Sequence, residues 1–422
     1  MKSARRIYLD YASLTPIDPR VLRTMNKYSS TEYANPSSWY REGVTAKKAL
    51  DEARKSVADF IGAHADEIVF TSGGTEANNI ALQGVMAAYS ASFNKKGHAS
   101  HPHIIISAIE HSSIIENAHM LESRGCEVTK IPVNEKGVLD LVALKKAIKP
   151  QTVLISIMTV NNELGTIQPI REIAKIIRQA RAKSADAKSG VFNYPLFHTD
   201  AAQAGLFLDL NVEQLGVDLL TLDAGKLYGP RGIGALYVRR KLFNVDASSS
   251  SVHARLIDPI VFGGGQEGGL RSGTENIPAI MGFAKALEIV KKERSKESVR
   301  VGKLKRVFID GLKKIRPDIV INSDTDSVSD SIIAPSAISM TSPHILNISI
   351  PGIDNEFFVI QLDAAGISCS TKSSCLRDLD ESYVLKAVGA DSKTSVRFSF
   401  GRWTKMGDMI STLKMIRNLL TK

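Results

Sequence analysis

Apolar residues recur at helical spacing across residues 45–60, and Ile68-Val69-Phe70-Thr71 then reads as a short buried strand. The alternation repeats, with a strand at 103–108, a helix at 112–123 and a strand at 127–131. A helix at 140–147, a strand at 152–158 and a helix at 170–182 follow. Further strands fall at 196–199 and 217–222, with a hairpin-like pair around 232–238. Strands separated by helices of this length predict a mostly parallel, doubly wound sheet. Ligands of such sheets sit beyond the carboxyl ends of the strands, so chemistry is sought in the residues just after each one.

Past residue 243 the pattern changes. Residues 244–256, rich in Ser and Asp, read as a surface loop, and the polar, low-complexity stretch 321–345 reads as another. A long helix is expected over 277–296 and a second, amphipathic one over 298–315. Strands near 346–350 and 395–399, with helices near 355–365 and 407–420, predict a smaller α+β unit. At 422 residues the chain exceeds what one core usually supports, which also favours two domains.

Four segments after strands carry candidate chemistry. Thr71-Ser72-Gly73-Gly74-Thr75-Glu76-Ala77-Asn78-Asn79 is a Gly/Ser/Thr turn between a strand and a helix, where backbone N–H groups and a hydroxyl suit a phosphate. Glu110-His111-Ser112-Ser113 follows the strand at 103–108. His198-Thr199-Asp200-Ala201-Ala202-Gln203 ends an apolar strand on an aspartate, which needs a cation or several donors there. In Asp223-Ala224-Gly225-Lys226-Leu227-Tyr228-Gly229-Pro230 a lysine stands just beyond a buried strand, where desolvation makes its amine a usable nucleophile. A lysine for a Schiff base, an aspartate for a pyridinium nitrogen and a phosphate-binding turn are together what pyridoxal phosphate requires of a protein.

Composition narrows the setting. The three cysteines, Cys126, Cys369 and Cys375, are an odd and sparse set, which fits a reducing, cytoplasmic compartment rather than a disulfide framework. No apolar run approaches the roughly 20 residues that span a bilayer. The net charge of +10 is spread along helical stretches such as Lys291-Lys292-Glu293-Arg294, mixed with acids, so direct nucleic-acid binding is not expected. No metal site is expected.

The chain resembles the class-V aminotransferase group and, within it, the cysteine desulfurases of the NifS/IscS type. The resemblance is carried by Tyr8-Leu9-Asp10-Tyr11-Ala12, Asn35-Pro36-Ser37-Ser38, Phe70–Asn79, Asn161-Asn162-Glu163-Leu164-Gly165, the 198–203 and 226–237 segments, Arg271-Ser272-Gly273-Thr274 and Ser395–Arg402. It implies a fold type I pyridoxal-phosphate transferase, with a seven-stranded large domain at 15–265 and a small domain of 1–14 and 266–422. It also implies a homodimer that converts L-cysteine to L-alanine for iron–sulfur cluster or tRNA-thiolation pathways, passing sulfur to an acceptor protein. Carried over position by position, Gly74 and Thr75 would hold the phosphate, with Thr274 reaching it from the other subunit. His111 would stack on the ring, Asn162 and Gln203 would bond near its phenolic oxygen, and Asp200 would pair with its nitrogen. Lys226 would hold the cofactor, Arg397 with Asn35 would clamp the substrate carboxylate, and Cys375 would receive the sulfur. Cys369 is expected to face the core and Cys126 to be buried and inert.

Three departures stand out. The family has Ser, a small residue and His before the lysine, where this chain has Asp223-Ala224-Gly225. Asp223 would repel a phosphate dianion, so its side chain is expected to turn away, with weaker cofactor retention. Tyr40 replaces a histidine, and Lys372 replaces a glycine in the cysteine loop. The rival readings are another fold type I enzyme, such as an aminotransferase or a selenocysteine lyase, and a non-catalytic sulfur-transfer scaffold.

Overall fold

The computed structural model describes residues 6–94, 101–183, 194–243, 255–323, 340–371 and 381–421. After a short strand β1 (Ile7–Tyr8), the chain lays down β2 (Ile68–Thr71), β3 (His103–Ser107), β4 (Glu127–Ile131), β5 (Thr152–Ser156), β6 (Leu196–Asp200), β7 (Leu219–Asp223) and β8 (Gly234–Val238). Strands β2 to β8 form one seven-stranded sheet in the order β2-β8-β7-β6-β5-β3-β4. All neighbouring pairs are parallel except those of β8, which runs antiparallel to both β7 and β2. The expected hairpin at 232–238 is therefore a single strand. Gly232, at φ +76°, turns the chain into it, and β8 pairs on one edge with the preceding strand β7, across the Lys226 turn, and on the other with the distant β2.

Helices α1 (Pro19–Ser30), α2 (Arg41–Ile61), α3 (Gly74–Asn79), α4 (Val85–Asn94), α5 (Ser112–Ser123), α6 (Leu141–Ala147), α7 (Ile170–Lys183) and α8 (Val212–Leu215) accompany the sheet. One apolar cluster includes Phe60, Ile105, Ile155, Phe197 and Leu222; another includes Ile80, Ile104, Leu154, Leu196 and Leu236. Alternate residues of each strand thus feed opposite faces, as a doubly covered sheet demands. Polar exceptions inside the sheet satisfy one another. His198 lies between Ser156 Oγ at 2.8 Å and Thr221 Oγ1 at 3.0 Å, and burial pushes its pKa down to about 3.

The two helices expected at 277–296 and 298–315 are one, α9 (Ile277–Ile315), 39 residues long. Lys296-Glu297-Ser298-Val299 holds no glycine, proline or capping turn to stop it. Its first half packs into the core of the large sheet through Phe283 and Leu287, and its second half reaches a separate cluster through Leu304, Phe308 and Leu312. That cluster covers β9 (Val320–Ile321), β10 (Ile345–Ser349) and β12 (Ser395–Ser399), an antiparallel sheet in the order β12-β10-β9. It is flanked by α10 (Asn355–Ala364) and α12 (Met406–Leu420), and β11 (Ile367–Ser368) pairs in parallel with β1. The short α11 (Tyr383–Ala387) precedes β12. Phe308, fully buried, stacks edge-on against Phe398 and Phe400 at 5.1 and 5.7 Å between ring centres. Burying such a ring contributes about 1.5–3 kcal/mol. Among the described residues no helix is long and apolar enough to cross a membrane.

Candidate active site

A cleft of about 210 Å³ opens at the carboxyl ends of the parallel strands. It is lined by residues of every segment singled out for chemistry within the described chain, among them Gly74, Thr75, His111, Asn162, Asp200, Gln203, Lys226 and Arg397. Each reaches it for a local reason. β6 ends on Asp200, 7% exposed, whose carboxylate accepts from Asn78 Nδ2 at 2.8 Å and from Ala202 N at 2.9 Å. Three residues past the end of β7, Lys226 closes a 3-10 turn and donates from Nζ to the carbonyl of Ser13. His111 caps α5, its Nδ1 accepting from Ser113 N at 3.2 Å. Gln203 donates to the Ala12 carbonyl at 2.8 Å.

Arg397 comes from β12 in the second sheet and crosses to the large one. Its guanidinium donates to Asp10 Oδ1 at 2.9 Å, Ser13 Oγ at 2.7 Å and the Asn162 carbonyl at 2.8 Å. The arginine is 1% exposed, and its Nε has no partner among the described residues. A buried guanidinium so placed can take a carboxylate on the cleft side.

Not every expected residue comes to the cleft. Asn35 is exposed, its side chain accepting from Ser37 N at 2.9 Å, and it does not line the cleft. Thr274 is exposed and likewise absent from the lining of this single chain. Cys375 and Lys372 lie outside the described residues. Cys369 packs against the second core, and burial raises its thiol pKa. Cys126 is buried in the first half of the molecule, with its thiol pushed up to about 12. Among the described residues no cluster of ligating side chains could hold a metal ion.

Asp223 contradicts the expectation that it would turn away. It opens the turn after β7, and its Oδ1 caps that turn by accepting from Gly225 N at 2.7 Å. The same rotamer carries Oδ2 to Gly74 N at 3.2 Å, so the carboxylate points into the phosphate turn and lines the cleft. The capping bond, a local gain, decides the direction.

Asn78 stands in the first candidate segment and Ala12 closes the Tyr8–Ala12 motif, yet neither they nor Ser13 carry a role in the sequence reading. Asn78 stands three residues after Thr75 on α3, a spacing that places the two on one helix face, and this was the readable signal.

The residues fit pyridoxal phosphate on their own evidence. The Asp200 carboxylate still has lone pairs for a ring N–H, and the buried Asn78 Oδ1 beside it has no partner among the described residues. Lys226 and Asp200 share one cleft on adjacent strand ends. Among the described residues that line the cleft, Asp223 is the carboxylate that faces the phosphate turn.

Fold and cleft together define a fold type I pyridoxal-phosphate enzyme. The chain belongs to the aminotransferase class-V family, whose model matches residues 7–410 and whose members depend on that cofactor. Within that family it is similar to the cysteine desulfurases. Cysteine desulfurase IscS of Dictyoglomus turgidum is 38% identical over 99% of this chain and 95% of its own. The mitosomal cysteine desulfurase of Encephalitozoon cuniculi is 39% identical over 95% of this chain and 83% of its own. The solved structure of a NifS-like protein matches with a TM-score of 0.82 at 30% identity, covering 99% of both chains.

Proposed function

We propose that the chain is a cysteine desulfurase, which converts L-cysteine to L-alanine and moves the sulfur onto Cys375. The observation that carries this reading is the convergence of Lys226, Asp200, Gln203, His111 and Arg397 on one cleft, in a chain similar to cysteine desulfurases over nearly its whole length.

Bound pyridoxal phosphate would supply an electron sink next to the substrate's α-carbon. Arg397 holds the substrate carboxylate, its orientation set by Asp10 and the Asn162 carbonyl. Asp200, held by Asn78 and Ala202, keeps negative charge against the ring nitrogen and so stabilises its proton. Lys226 Nζ would hold the cofactor's aldehyde carbon and would serve as the base at the substrate's α-carbon. Gln203, Asn162 and His111 line the same cleft, where the first two would bond near the ring's phenolic oxygen and His111 would stack on the ring. The phosphate would lie beside Gly74 and Thr75, against Asp223, with Thr274 of a second copy reaching it in a homodimer. The Cys375 thiolate attacks the substrate sulfur. An S–S bond forms, the Cβ–Sγ bond breaks with its electron pair left on carbon, and protonation of that carbon yields alanine. Cys375 lies five residues beyond Ser370, which is backbone-paired with Arg397. Five residues span at most about 17 Å, enough to bring the thiol to the cleft.

The large unit at 15–265 and the small unit of 1–14 with 266–422 divide this work, the small one supplying Arg397 and the cysteine segment. The persulfide passes to an acceptor protein of an iron–sulfur or tRNA-thiolation pathway, in the cytoplasm.

The test is release of alanine and sulfide from L-cysteine with a reductant present. Cys375→Ala and Lys226→Ala each abolish turnover, while only Lys226→Ala loses the yellow absorbance near about 420 nm. A native chain loaded with cofactor that releases no alanine overturns the reading.

A further inference from the structure

From Ser72 to Gly74, each amide of the phosphate turn already bonds an acceptor from within the chain. Glu76 Oε2 takes Ser72 N at 2.6 Å, Thr71 Oγ1 takes Gly73 N at 3.4 Å, and Asp223 Oδ2 takes Gly74 N at 3.2 Å. Glu76 is itself anchored by Arg271 at 2.7 Å, so its carboxylate is fixed in place. The second oxygen of Asp223 is committed to Gly225 N at 2.7 Å. A Cβ built on Gly74 would stand only 3.3 Å from Asp223 Oδ2, so the carboxylate lies against the turn and a ligand oxygen cannot take the Gly74 N–H while Asp223 stays in place.

An external anion at this turn must therefore displace Asp223 or lie against it. Displacement gives up the bonds to Gly74 and Gly225, and proximity sets like charges together where one wall of the cleft is protein. The groups that meet the ring and the aldehyde, Asp200, Gln203 and Lys226, face no such conflict. The phosphate then adds little to the cofactor's net affinity.

We propose that Asp223 is a built-in anion that holds the cofactor's phosphate position, so that the chain discriminates poorly between pyridoxal phosphate and unphosphorylated pyridoxal. This rests on the reading of the cleft as a pyridoxal-phosphate site. Two variants separate charge from shape. Asp223→Ser keeps a small acceptor for Gly225 N and removes the charge, and Asp223→Asn keeps the outline and removes the charge.

The experiment titrates cofactor-free protein with each ligand, reading the coloured lysine adduct near about 420 nm and following the fold by circular dichroism. The native chain is expected to bind the two ligands within about threefold of each other. Asp223→Ser is expected to tighten pyridoxal phosphate by about tenfold or more and to leave pyridoxal within about twofold. Inorganic phosphate is expected to compete with pyridoxal phosphate for Asp223→Ser and not for the native chain. If Asp223→Ser loses the native circular dichroism, Asp223→Asn is held to the same numbers.

Three results overturn the proposal: a native chain that prefers pyridoxal phosphate by about a hundredfold, a variant with unchanged phosphate-ligand affinity, or a variant that tightens both ligands equally. Colour that forms with either ligand and vanishes in Lys226→Ala leaves the cofactor reading standing whichever way Asp223 falls. The absence of such colour in native and variant alike sinks both.

Discussion

Two aspartates end neighbouring strands of the sheet and face one cleft. β6 closes on Asp200 and β7 on Asp223, in parallel register with Asp200 opposite Thr221. Each carboxylate accepts two hydrogen bonds: Asp200 from Asn78 and Ala202, Asp223 from Gly74 and Gly225. They are alike in satisfaction, although Asp200 is buried and Asp223 only half-buried. What separates them is the sign of the group each is due to meet, a protonated ring nitrogen at Asp200 and a phosphate at Asp223. A satisfied carboxylate in a cleft is thus evidence for a ligand only after the charge of that ligand has been considered.

The comparison breaks first, and most severely, at Asp200. Asp200→Asn keeps the outline and removes the charge that stabilises the ring proton. The expected loss in alanine formation is about 10²–10³-fold, the scale of removing one preorganised electrostatic group from a reaction site. Colour should persist, because Lys226 is untouched. Native turnover in this variant would make the two aspartates equals after all.

A smaller loss is expected one step back. Asn78→Ala removes the side-chain donor to Asp200 and to Ser113 Oγ, both at 2.8 Å. A hydrogen bond to a charged group contributes about 1.5–3 kcal/mol, so turnover should fall by roughly ten- to a hundredfold. Absorbance should shift as the ring proton is held less firmly. Steady-state rates and the absorbance spectrum check this together, and a fall in rate with an unmoved spectrum would show Asn78 to be packing alone.

The alternation of apolar segments carried most of the large sheet, with β2, β4 and α5 matching residue for residue. What it missed has physical causes. The two helices expected at 277–296 and 298–315 run on as one because only a breaker or a cap ends a helix, and none stands at 296–298. The strand β8 looked like a hairpin by itself because its glycine turn is adjacent, whereas its partners lie beyond 232–238, in the preceding β7 across the Lys226 turn and in the distant β2. In the site, residue types sufficed for Lys226, Asp200 and His111, because each stands just after a recognisable strand. The direction of the Asp223 side chain was not legible. It depends on a capping bond to Gly225 and on the distance to a turn about 150 residues away, and sequence carries neither.

The gentlest probe lies behind Asp200, in a third carboxyl. Glu110 is fully buried, with Oε1 accepting from Met158 N at 2.9 Å and Oε2 without a partner among the described residues. Burial, with the charge of Asp200 adding to it, raises its pKa from 4.5 to about 8. Between those values the folded chain holds a proton that the unfolded chain has lost. Its contribution is therefore complete below about pH 4.5 and drains away as pH rises through about 8. His198 and His344 act oppositely: burial lowers both from 6.5 to about 3, so their contribution is present above about 6.5 and lost as pH falls. These three groups together place the greatest stability near about pH 6.5. Glu110→Gln cannot ionise, and it should flatten the alkaline limb by about 2 kcal/mol between pH 6.5 and 8 and steepen the acid limb above about pH 4.5, where the two histidines then act unopposed. Melting temperatures of the cofactor-free proteins across pH 4 to 9 measure both limbs. An identical alkaline slope in the two proteins would remove Glu110 from the argument. A slope that also softens in Asp200→Asn would show the charge of Asp200 acting on the carboxyl behind it.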